Sequence, residues 1–345
     1  MPEISVIIPS YNHARYIGHA VSSVLSQTLE DLELIIVDDG STDLSLQVLR
    51  QIRDSRMKIL EQPNLGAHAA INNGLRQARG DYLSILNSDD YYEPDRLEKI
   101  AAVMRNRPEI GLAGSHLRII DENELTLGIK HGYQDCEPWL LDRPESSFRA
   151  GESLKNALLT ENYLATTSNF LFPRRILDRV GDFRPLRFTH DWDFALRVSK
   201  QADLALVEEP LLNYRVHDQN TIREDLAAMI FEICWILAVH LPVHPGDKQI
   251  TRTTPHEKHI EQLLNSIYTY GCDRVLNVLL LQRLDVDQEH ALALLSTDDP
   301  ERLQYMNYIH SIIKGIETGG QDRNLPPLLE RIKMIAMRRI RKLWK

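Results

Sequence analysis

Two short acidic clusters, Asp38–Ser41 and Asn87–Asp90, carry the side chains best suited to chemistry in this chain. Each cluster directly follows an apolar run, where a loop begins at the end of a buried strand. Carboxylates gathered at one site repel one another unless a cation or a hydrogen-bond donor joins them. Oxygen ligands of this kind suit Mg²⁺ or Mn²⁺, which usually keep phosphate groups in their coordination shell. The clusters therefore predict a divalent metal site that serves a phosphate-bearing substrate.

The segments between these clusters predict an α/β fold. Short runs rich in β-branched residues alternate with helical stripes, the pattern of crossover units in a parallel sheet covered on both faces. The predicted strands include residues 4–8, 32–37, 57–60 and 82–86. In such a sheet, ligands bind beyond the carboxyl ends of the strands. Pro9–Asn12 and both acidic clusters follow predicted strands, so we expect all three at one edge.

Each of these segments also has an ordinary structural interpretation. An Asp-Gly-Ser sequence after a strand is a common turn. Asp89 and Asp90 are equally suited to capping the helix that Pro94 opens, and Tyr11 could fill a gap in packing. The ordered occurrence of three polar segments at strand ends favours a functional site over three separate structural explanations.

The composition and the missing motifs narrow the class of protein. A formal net charge of -9 argues against nucleic acid as the main partner. No G-x-G-x-x-G follows the first strand and no G-x-x-x-x-G-K-[ST] occurs, which disfavours a nicotinamide dehydrogenase and a P-loop enzyme. The cysteines show no paired spacing, and the sequence shows neither a signal peptide nor an apolar run of transmembrane length. These features predict a cytoplasmic protein.

Together the motifs resemble those of the family-two glycosyltransferases, which have the GT-A fold. The segments that carry the resemblance are Ile4–Asn12, Ser26–Thr28, Val37–Asp43, Asn64–Gly66, Ala78–Tyr82 and Asn87–Asp90. The similarity covers roughly residues 3–220. It implies a Rossmann-like, mostly parallel sheet with helices on both faces, and transfer of a sugar from a nucleotide-diphosphate donor.

The resemblance also implies roles for individual residues. The expected donor-binding residues are Pro9, Tyr11, Asn12, Asp39, Asn72, Asn87 and Asp89. Pro9 and Tyr11 would frame the nucleobase, and Asp39 would accept a hydrogen bond from its N–H, which uridine and deoxythymidine both offer. A guanine donor stays open. The expected ligands for Mn²⁺ or Mg²⁺ are Asp89, Asp90 and His217, and the resemblance does not decide which aspartate binds the metal and which holds ribose or sugar.

Two positions depart from the family pattern. Asn87 stands where the first acid of the DXD-type motif is often Asp, and this loss of one negative charge predicts weaker metal binding. Ile71 stands where many members carry Arg, so any phosphate or sugar contact from that Arg is missing. His68 and Asn72 are the two candidates to replace it.

The segment His190–Phe194 is similar to the family's [ED]-D-x-D segment, which implies that Asp191 is the general base. An inverting transfer is one in-line displacement at the anomeric carbon. The acceptor hydroxyl loses its proton as it attacks, so a base must lie within hydrogen-bond reach. The alternative is that Asp191 caps a helix and Asp193 sits in its first turn, where the helix dipole favours an acid.

Three further residues, Ser168, Asn169 and Trp192, are expected to contact the acceptor, although Trp192 is equally suited to the core. Tyr214–His217 resembles the Y-R-x-H segment that often follows in the family. There His217 would contact the metal or diphosphate and Arg215 would pair with phosphate. A lone histidine is more often structural, so both interpretations of His217 stay open.

The pattern of predicted strands and helices changes twice along the chain. Residues 1–222 form the expected GT-A domain, with a loop-rich insertion at about 121–165, and residues 223–345 are expected to be helical. Leu226–Leu241 is apolar but short and carries Glu232, which predicts a buried helix. The basic residues and apolar face of residues 331–345 predict either peripheral contact with an anionic membrane, at the inner face of the plasma membrane, or packing on the protein itself.

The expected activity is metal-assisted, inverting transfer from a UDP- or dTDP-sugar to a hydroxyl of a glycan or lipid-linked acceptor, as in polysaccharide or cell-envelope synthesis. A nucleotidyltransferase is disfavoured, because Pro9–Asn12 replaces the Gly- and Lys/Arg-rich loop that such enzymes carry. The remaining alternative is a non-catalytic nucleotide-sugar-binding or scaffold subunit, which Asn87 and Ile71 suggest. The sequence does not indicate the oligomeric state.

Overall fold

A computed structural model describes residues 1–131, 162–217, 225–240 and 287–317, with short pieces at 154–155, 158, 275–276, 278–279, 282 and 284. Contacts within the chain divide it into two compact units, Met1–Asn220 and Thr221–Lys345. The basic tail at 331–345 and most of the expected insertion between 132 and 161 lie outside the described residues.

The first unit alternates strands and helices, in agreement with the α/β prediction. Its strands, where described, are β1 (Ile4–Ser10), β2 (Leu32–Asp38), β3 (Met57–Glu61), β4 (Tyr82–Ile85), β5 (Tyr91–Tyr92), β6 (Ile110–Ile120), β7 (Thr126–Lys130), β8 (Leu171–Pro173) and β9 (Asp203–Arg215). Its helices are α1 (Ile17–Leu25), α2 (Ser45–Gln51), α3 (Ala67–Gln77), α4 (Arg96–Asn106), α5 (Arg175–Val180) and α6 (His190–Ser199), with a 3₁₀ turn at Thr167–Asn169.

All of these strands belong to one mixed sheet. The strand order is β3-β2-β1-β4-β8-β6-β9-β5, and β7 pairs with β6. The half formed by β3, β2, β1 and β4 is wholly parallel, whereas β8 runs antiparallel to both β4 and β6. The parallel half carries the three polar segments, and the antiparallel strand β8 follows directly on the 3₁₀ turn.

Helices cover both faces of the parallel half. Alternate residues of β1 point in opposite directions, so Ile4, Val6 and Ile8 pack into one buried cluster with residues of α1, α2 and α4. Ile7 points to the other face, where Gly74 of α3 lies against it. The apolar runs of β1 and β2 are therefore buried on both sides, as the doubly covered sheet requires.

Part of the expected loop-rich insertion is a regular hairpin. β6 continues to Ile120 and pairs with β7, and the turn between them places Glu124 in the left-handed region with φ 68°. The sequence of β7 alternates only weakly, and Leu127 in this strand and Leu125 just before it remain exposed. This explains why the pattern alone did not reveal it.

The second unit is helical where it is described. It contains α7 (Leu226–His240), α8 (Gln288–Ala293) and α9 (Pro300–Glu317). α7 is buried as predicted: Phe231 and Trp235 are fully buried, and the Trp235 indole donates to Ala291 O at 2.8 Å. Within the described stretches, none of the helices has both the length and the apolar content to cross a membrane.

The close approach of α3 to β1 gives a test of this packing. A Cβ at Gly74 would lie 2.4 Å from Ile7 Cγ2, whereas one at Gly18 in α1 meets nothing nearer than 3.6 Å. We expect Gly74→Ala to destabilise the protein by about 1–3 kcal/mol, because overpacking outweighs the gain in helix propensity. Gly18→Ala, the matched control, should be neutral or mildly stabilising. Urea denaturation midpoints measure both, and equal midpoints would contradict the packing described.

Candidate active site

The loops after β1, β2 and β4 begin at one edge of the sheet. Ser10 pairs with Asp38 across β1 and β2, and Ile7 pairs with Ile85 across β1 and β4. The pairing continues past the strand end, where Asp39 N donates to Ser10 O at 2.8 Å. The three polar segments therefore lie side by side, as expected for the carboxyl ends of parallel strands.

The loop after β1 is braced against the loop after β2. Asn12 is in the left-handed region with φ 53°, and its Oδ1 accepts from Thr42 N at 2.8 Å. Asn12 N donates to Ser41 Oγ at 3.0 Å, and His13 N donates to Ser45 Oγ at 3.0 Å. The structure thus gives Asn12, expected in the donor site, a bracing role that fixes where His13 points.

Asp39 is engaged by the loop after β3. Its Oδ1 accepts from Gln62 Nε2 at 2.7 Å and Leu65 N at 2.9 Å, and its Oδ2 accepts from Gly66 N at 2.8 Å. A carboxylate has about four lone-pair positions, so one on Oδ2 is left by these donors. Tyr11, on the neighbouring loop, keeps 43% of its surface exposed. Asp39 is itself buried, at 3% exposure, so the exposed part of this pair is the Tyr11 ring.

His13, Asp89 and His217 form a compact cluster of metal-ligating side chains. Their ligand atoms all lie within 4.8 Å of one another. His217 Nε2 is 3.0 Å from Asp89 Oδ2, and His13 Nδ1 is 2.7 Å from Ser88 Oγ. Burial raises the pKa of Asp89, but the hydrogen bond to His217 and the charges of both histidines outweigh it and leave that pKa below its ordinary value. Two imidazoles and one carboxylate are a suitable donor set for a divalent transition metal.

Asp90 is separated from this cluster, although it was expected to bind the metal. Its Oδ2 accepts from Ser168 Oγ at 2.6 Å and its Oδ1 accepts from Arg215 N at 2.9 Å. Burial, followed by the charge of Asp89, raises the pKa of Asp90 well above its ordinary value. Of the two neighbouring aspartates, the structure brings only Asp89 to His217, and Asp90 anchors the loop to the protein interior.

The side chain of Asn87 is held at both ends. Its Nδ2 donates to Thr166 Oγ1 at 3.0 Å, and its Oδ1 accepts from Thr167 Oγ1 at 3.0 Å. Asn87 N also donates to Ser168 Oγ at 2.9 Å. An amide supplies both the donor and the acceptor, whereas an ionised Asp supplies only acceptors. At the position where the family often has Asp, this chain thus places an amide between two threonine hydroxyls.

Arg215 supports the same loop from β9. Its Nε donates to Asp89 O at 2.9 Å, and one of its terminal nitrogens lies 3.2 Å from Glu124 Oε1. Its guanidinium carbon is 4.7 Å from the centre of the Tyr16 ring, within range of a cation–π interaction. Arg215 is almost fully buried at 2% exposure, so the structure uses it to hold Asp89 in place, in contrast to the expected pairing with phosphate.

Asp191 lies in the first turn of α6 and is buried at 7% exposure. Its Oδ1 accepts from Trp192 N at 2.7 Å and its Oδ2 accepts from Asn162 Nδ2 at 2.9 Å. Burial outweighs these hydrogen bonds and raises the pKa of Asp191 to about 6. The carboxylate is therefore mostly ionised at neutral pH yet basic enough to accept a proton, which is a suitable state for a general base.

The three residues expected to contact the acceptor are buried. Trp192 Nε1 donates to Leu158 O at 2.7 Å, and Asn169 Oδ1 accepts from Ser115 N at 2.9 Å and Arg96 at 3.1 Å. Ser168 and Asn169 are fully buried and Trp192 is 8% exposed. These side chains make their hydrogen bonds within the fold, and the burial of Trp192 agrees with the alternative that it belongs to the core.

Helix α3 carries three residues that the sequence analysis singled out, namely His68, Ile71 and Asn72. Asn72 Nδ2 donates to Phe183 O at 2.8 Å and Asn72 Oδ1 accepts from Phe183 N at 2.9 Å, so both ends of this amide serve the fold. Ile71 is fully buried. His68 lies close enough to His190 and Asp39 for their charges to affect it, and burial, followed by His190, lowers the pKa of His68. Of the two proposed substitutes for the missing Arg, Asn72 is engaged in this way, whereas His68 makes no side-chain hydrogen bond to the part of the chain that the structure describes. Pro9 lies buried in β1.

Sequence reasoning missed His13 and Asn162. His13 directly follows the matching Tyr11–Asn12 segment, so its position just beyond the strand end was the available signal. Asn162 lies in the irregular region, and its contact with Asp191 joins positions 29 residues apart. No local pattern in the sequence marks such a contact.

The sequence of this chain is similar to those of known proteins. Residues 5–181 match the sequence model of glycosyl transferase family 2. An uncharacterized glycosyltransferase of Nostoc sp. is 32% identical over 226 residues, which cover 63% of this chain and 66% of that protein. The chondroitin synthase of Escherichia coli is 30% identical over 225 residues, covering 64% of this chain but 30% of the synthase. The chain thus spans about two thirds of the Nostoc relative's length and a smaller part of the synthase.

Solved structures show the same fold. The crystal structure of S. aureus TarS 1-349 in complex with UDP-GlcNAc superimposes with a TM-score of 0.54, at 17% identity and with 92% of each chain covered. The structure of the longer TarS chain gives a TM-score of 0.53 at 19% identity and covers 90% of this chain. At this level of identity the likeness establishes the GT-A fold, which was predicted from the motifs.

The raised pKa of Asp191 leads to a test of stability. A carboxyl group with a folded pKa of about 6 and an ordinary value of 3.8 favours folding below pH 3.8 and loses that contribution as the pH rises to about 6. The difference corresponds to about 3 kcal/mol. Asp191→Asn does not ionise, so its free energy of unfolding relative to the native protein should increase between about pH 4 and pH 7.5. Urea denaturation at both values measures this.

Asp31→Asn is the matched control, because Asp31 is exposed. It should change stability equally at both values of pH. An Asp191→Asn difference that does not vary with pH would contradict the raised pKa.

Proposed function

Because this chain belongs to glycosyl transferase family 2, we propose that it transfers a sugar from a UDP- or dTDP-sugar to a hydroxyl of a glycan or lipid-linked acceptor, with inversion and with metal assistance. Asp191 acts as the general base. The observation that carries the proposal is one stretch of chain, residues 162–169, which we call the bridging segment. It contacts both the Asn87–Asp90 loop and Asp191.

The bridging segment relates the donor end of the site to the base. Thr166, Thr167 and Ser168 hold Asn87, and Ser168 also donates to Asp90. Asn162, a few residues earlier, donates to Asp191. A displacement reaction needs the leaving group and the base held on a common frame, because small errors in geometry cost rate steeply. A short, hydrogen-bonded stretch of chain provides such a frame.

The nucleobase site is proposed at Tyr11 and Asp39. The open Tyr11 ring offers a stacking surface, and the lone pair left on Asp39 Oδ2 can accept an N–H. Uracil and thymine both carry a suitable N–H beside carbonyl oxygens. The structural relative TarS 1-349 binds UDP-GlcNAc, which supports a uridine donor here.

The proposed metal site consists of His13, Asp89 and His217. Their mutual distances and the depressed pKa of Asp89 fit a divalent cation. When bound, Mn²⁺ or Mg²⁺ would offset the charge on the departing diphosphate. Two imidazole ligands favour Mn²⁺, because Mg²⁺ prefers oxygen donors. Ser88 orients His13, and Arg215 holds the backbone of Asp89.

The transfer step is a single displacement. The acceptor oxygen forms a bond to the anomeric carbon while the bond from that carbon to the diphosphate breaks. The acceptor proton passes to Asp191, and the nucleoside diphosphate leaves with the electron pair. With a pKa of about 6, Asp191 is ionised before the step at neutral pH and holds the proton after it.

The acceptor and the cellular location are proposed from the similarity of this chain to two polysaccharide synthases. Chondroitin synthase of Escherichia coli and hyaluronan synthase of Pasteurella multocida match parts of this chain. These relatives support a growing glycan as the acceptor, in the cytoplasm or at the inner face of the plasma membrane. The basic tail at 331–345 is the proposed membrane contact, and it lies outside the described residues.

Nucleotide binding tests the donor site. Isothermal titration with UDP, dTDP, GDP and CDP should give tight binding of a uridine or deoxythymidine diphosphate, and much weaker binding without Mn²⁺. Asp39→Ala should weaken that binding by at least tenfold, since a buried base would lose its partner and the 62–66 loop would lose its anchor, a loss of about 1.4 kcal/mol or more. Failure of every nucleotide to bind, with and without Mn²⁺, would overturn the proposal in favour of the scaffold alternative.

Binding of Mn²⁺ alone tests the metal site. The electron paramagnetic resonance signal of free Mn²⁺ reports how much ion remains unbound. We expect His13→Ala, Asp89→Ala and His217→Ala each to weaken Mn²⁺ binding by about tenfold or more. His310→Ala, an exposed histidine of the second unit, is the control and should bind normally. Unchanged binding in all three variants would exclude this site.

A further inference from the structure

Asn162 makes contacts with both halves of its side-chain amide. Its Nδ2 donates to Asp191 Oδ2 at 2.9 Å, and its Oδ1 accepts from Ala165 N at 3.3 Å. The Asn162 backbone carbonyl also accepts from Ala165 N at 3.1 Å. The amide is therefore oriented with its nitrogen toward the carboxylate, and the turn itself fixes that orientation.

The turn from Asn162 to Ala165 is strained. Ala165 has φ 65°, in the left-handed region that a residue with a Cβ seldom adopts. Such a conformation costs about 1–2 kcal/mol and persists where the surrounding contacts determine it. Here Ala165 lies between Asn162, which donates to Asp191, and Thr166, which accepts a hydrogen bond from Asn87 Nδ2. The strain thus lies between the two contacts that connect the base to the donor loop.

Asp191 depends on neutral donors. Hydrogen bonds from Trp192 N and Asn162 oppose the effect of burial on its pKa, and among the described residues no neighbouring charge contributes to that pKa. The nearest titratable groups on α6 are His190 and Asp193. Asp193 is paired with Arg184 at 3.0 Å and with Arg197 at 2.9 Å, and His190 interacts with His68 of α3. Asn162 is therefore the side-chain donor on which the charged form of Asp191 relies.

We propose that Asn162 is a positioning residue for proton transfer, which holds one oxygen of Asp191 and leaves the carboxylate charged and aimed at the acceptor hydroxyl. This inference rests on the proposed function, because it assumes that Asp191 is the base. An amide suits the role, since it donates a hydrogen bond without adding charge. An Asp at this position would place a second carboxylate 2.9 Å from Asp191, where the two would share a proton.

The pH dependence of turnover tests the role. The assay is release of nucleoside diphosphate from the donor that the titrations identify, with the full chain and Mn²⁺. Losing a hydrogen bond to a charged group makes that group harder to ionise, so in Asn162→Ala the acid limb of kcat should move up by about one pH unit. In Asn162→Asp it should move further. The KM for the donor should stay within about twofold in both variants, because Asn162 does not belong to the donor site.

Asn106→Ala is the control, because Asn106 is an exposed residue at the end of α4, and it should give the native profile. A purely structural role for Asn162 would lower kcat equally at every pH, and that result would overturn the inference. A native profile for Asn162→Ala, with activity lost in Asp191→Asn, would also overturn it while leaving the base assignment intact. Full activity of Asp191→Asn would overturn both.

A second readout needs no substrate and applies if turnover is too slow to profile. The free energy of unfolding of Asn162→Ala, relative to the double variant Asn162→Ala/Asp191→Asn, should keep falling above pH 6. The native protein, relative to Asp191→Asn, should level off near its pKa of about 6. Coincident curves would contradict the role of Asn162.

Discussion

A carboxylate that is buried away from water must be stabilised by hydrogen-bond donors, by a nearby cation or by a proton. The first unit contains several buried aspartates. Asp39 is met by two backbone amides and a glutamine, and Asp193 by two arginines. Asp90 is met by a hydroxyl and a backbone amide, and Asp191 by an asparagine and a backbone amide. The loops around the sheet edge are arranged to supply these partners, so their conformations follow from the charges that they enclose.

The same constraint separates two adjacent aspartates. Asp89 and Asp90 are next to each other in sequence, yet one has a depressed pKa and the other a raised one. Asp89 faces two histidines, which favour its charged form. Asp90 faces inward, where burial and the neighbouring charge disfavour ionisation. Adjacent residues of a loop point in different directions, and this difference in surroundings divides one motif into a proposed metal ligand, Asp89, and a residue that anchors the loop, Asp90.

Sequence reasoning gave the doubly covered sheet, the edge at which the site lies and the family, because apolar periodicity and strand-end motifs are local signals. It could not assign direction to individual side chains. Asn12 and Asn87 occur within matching motifs and Asn72 was expected in the donor site, but their amides hold backbone and hydroxyl groups of the fold. Conversely, His13 becomes a candidate metal ligand only because it lies close to Asp89, which is far from it in the sequence. Long-range contacts of this kind depend on tertiary packing and produce no periodic pattern in the sequence.

The residues with positive φ other than glycine, among those described, are Asn12, Glu124 and Ala165. Asn12 braces the loop that carries His13, Glu124 contacts Arg215 beneath Asp89, and Ala165 turns the bridging segment. Asparagine tolerates the left-handed region, whereas Glu124 and Ala165 cost about 1–2 kcal/mol each, against a net stability of about 5–15 kcal/mol for a typical protein. The conformations of these loops therefore use a sizeable share of the free energy of unfolding that lets a protein tolerate destabilising substitutions.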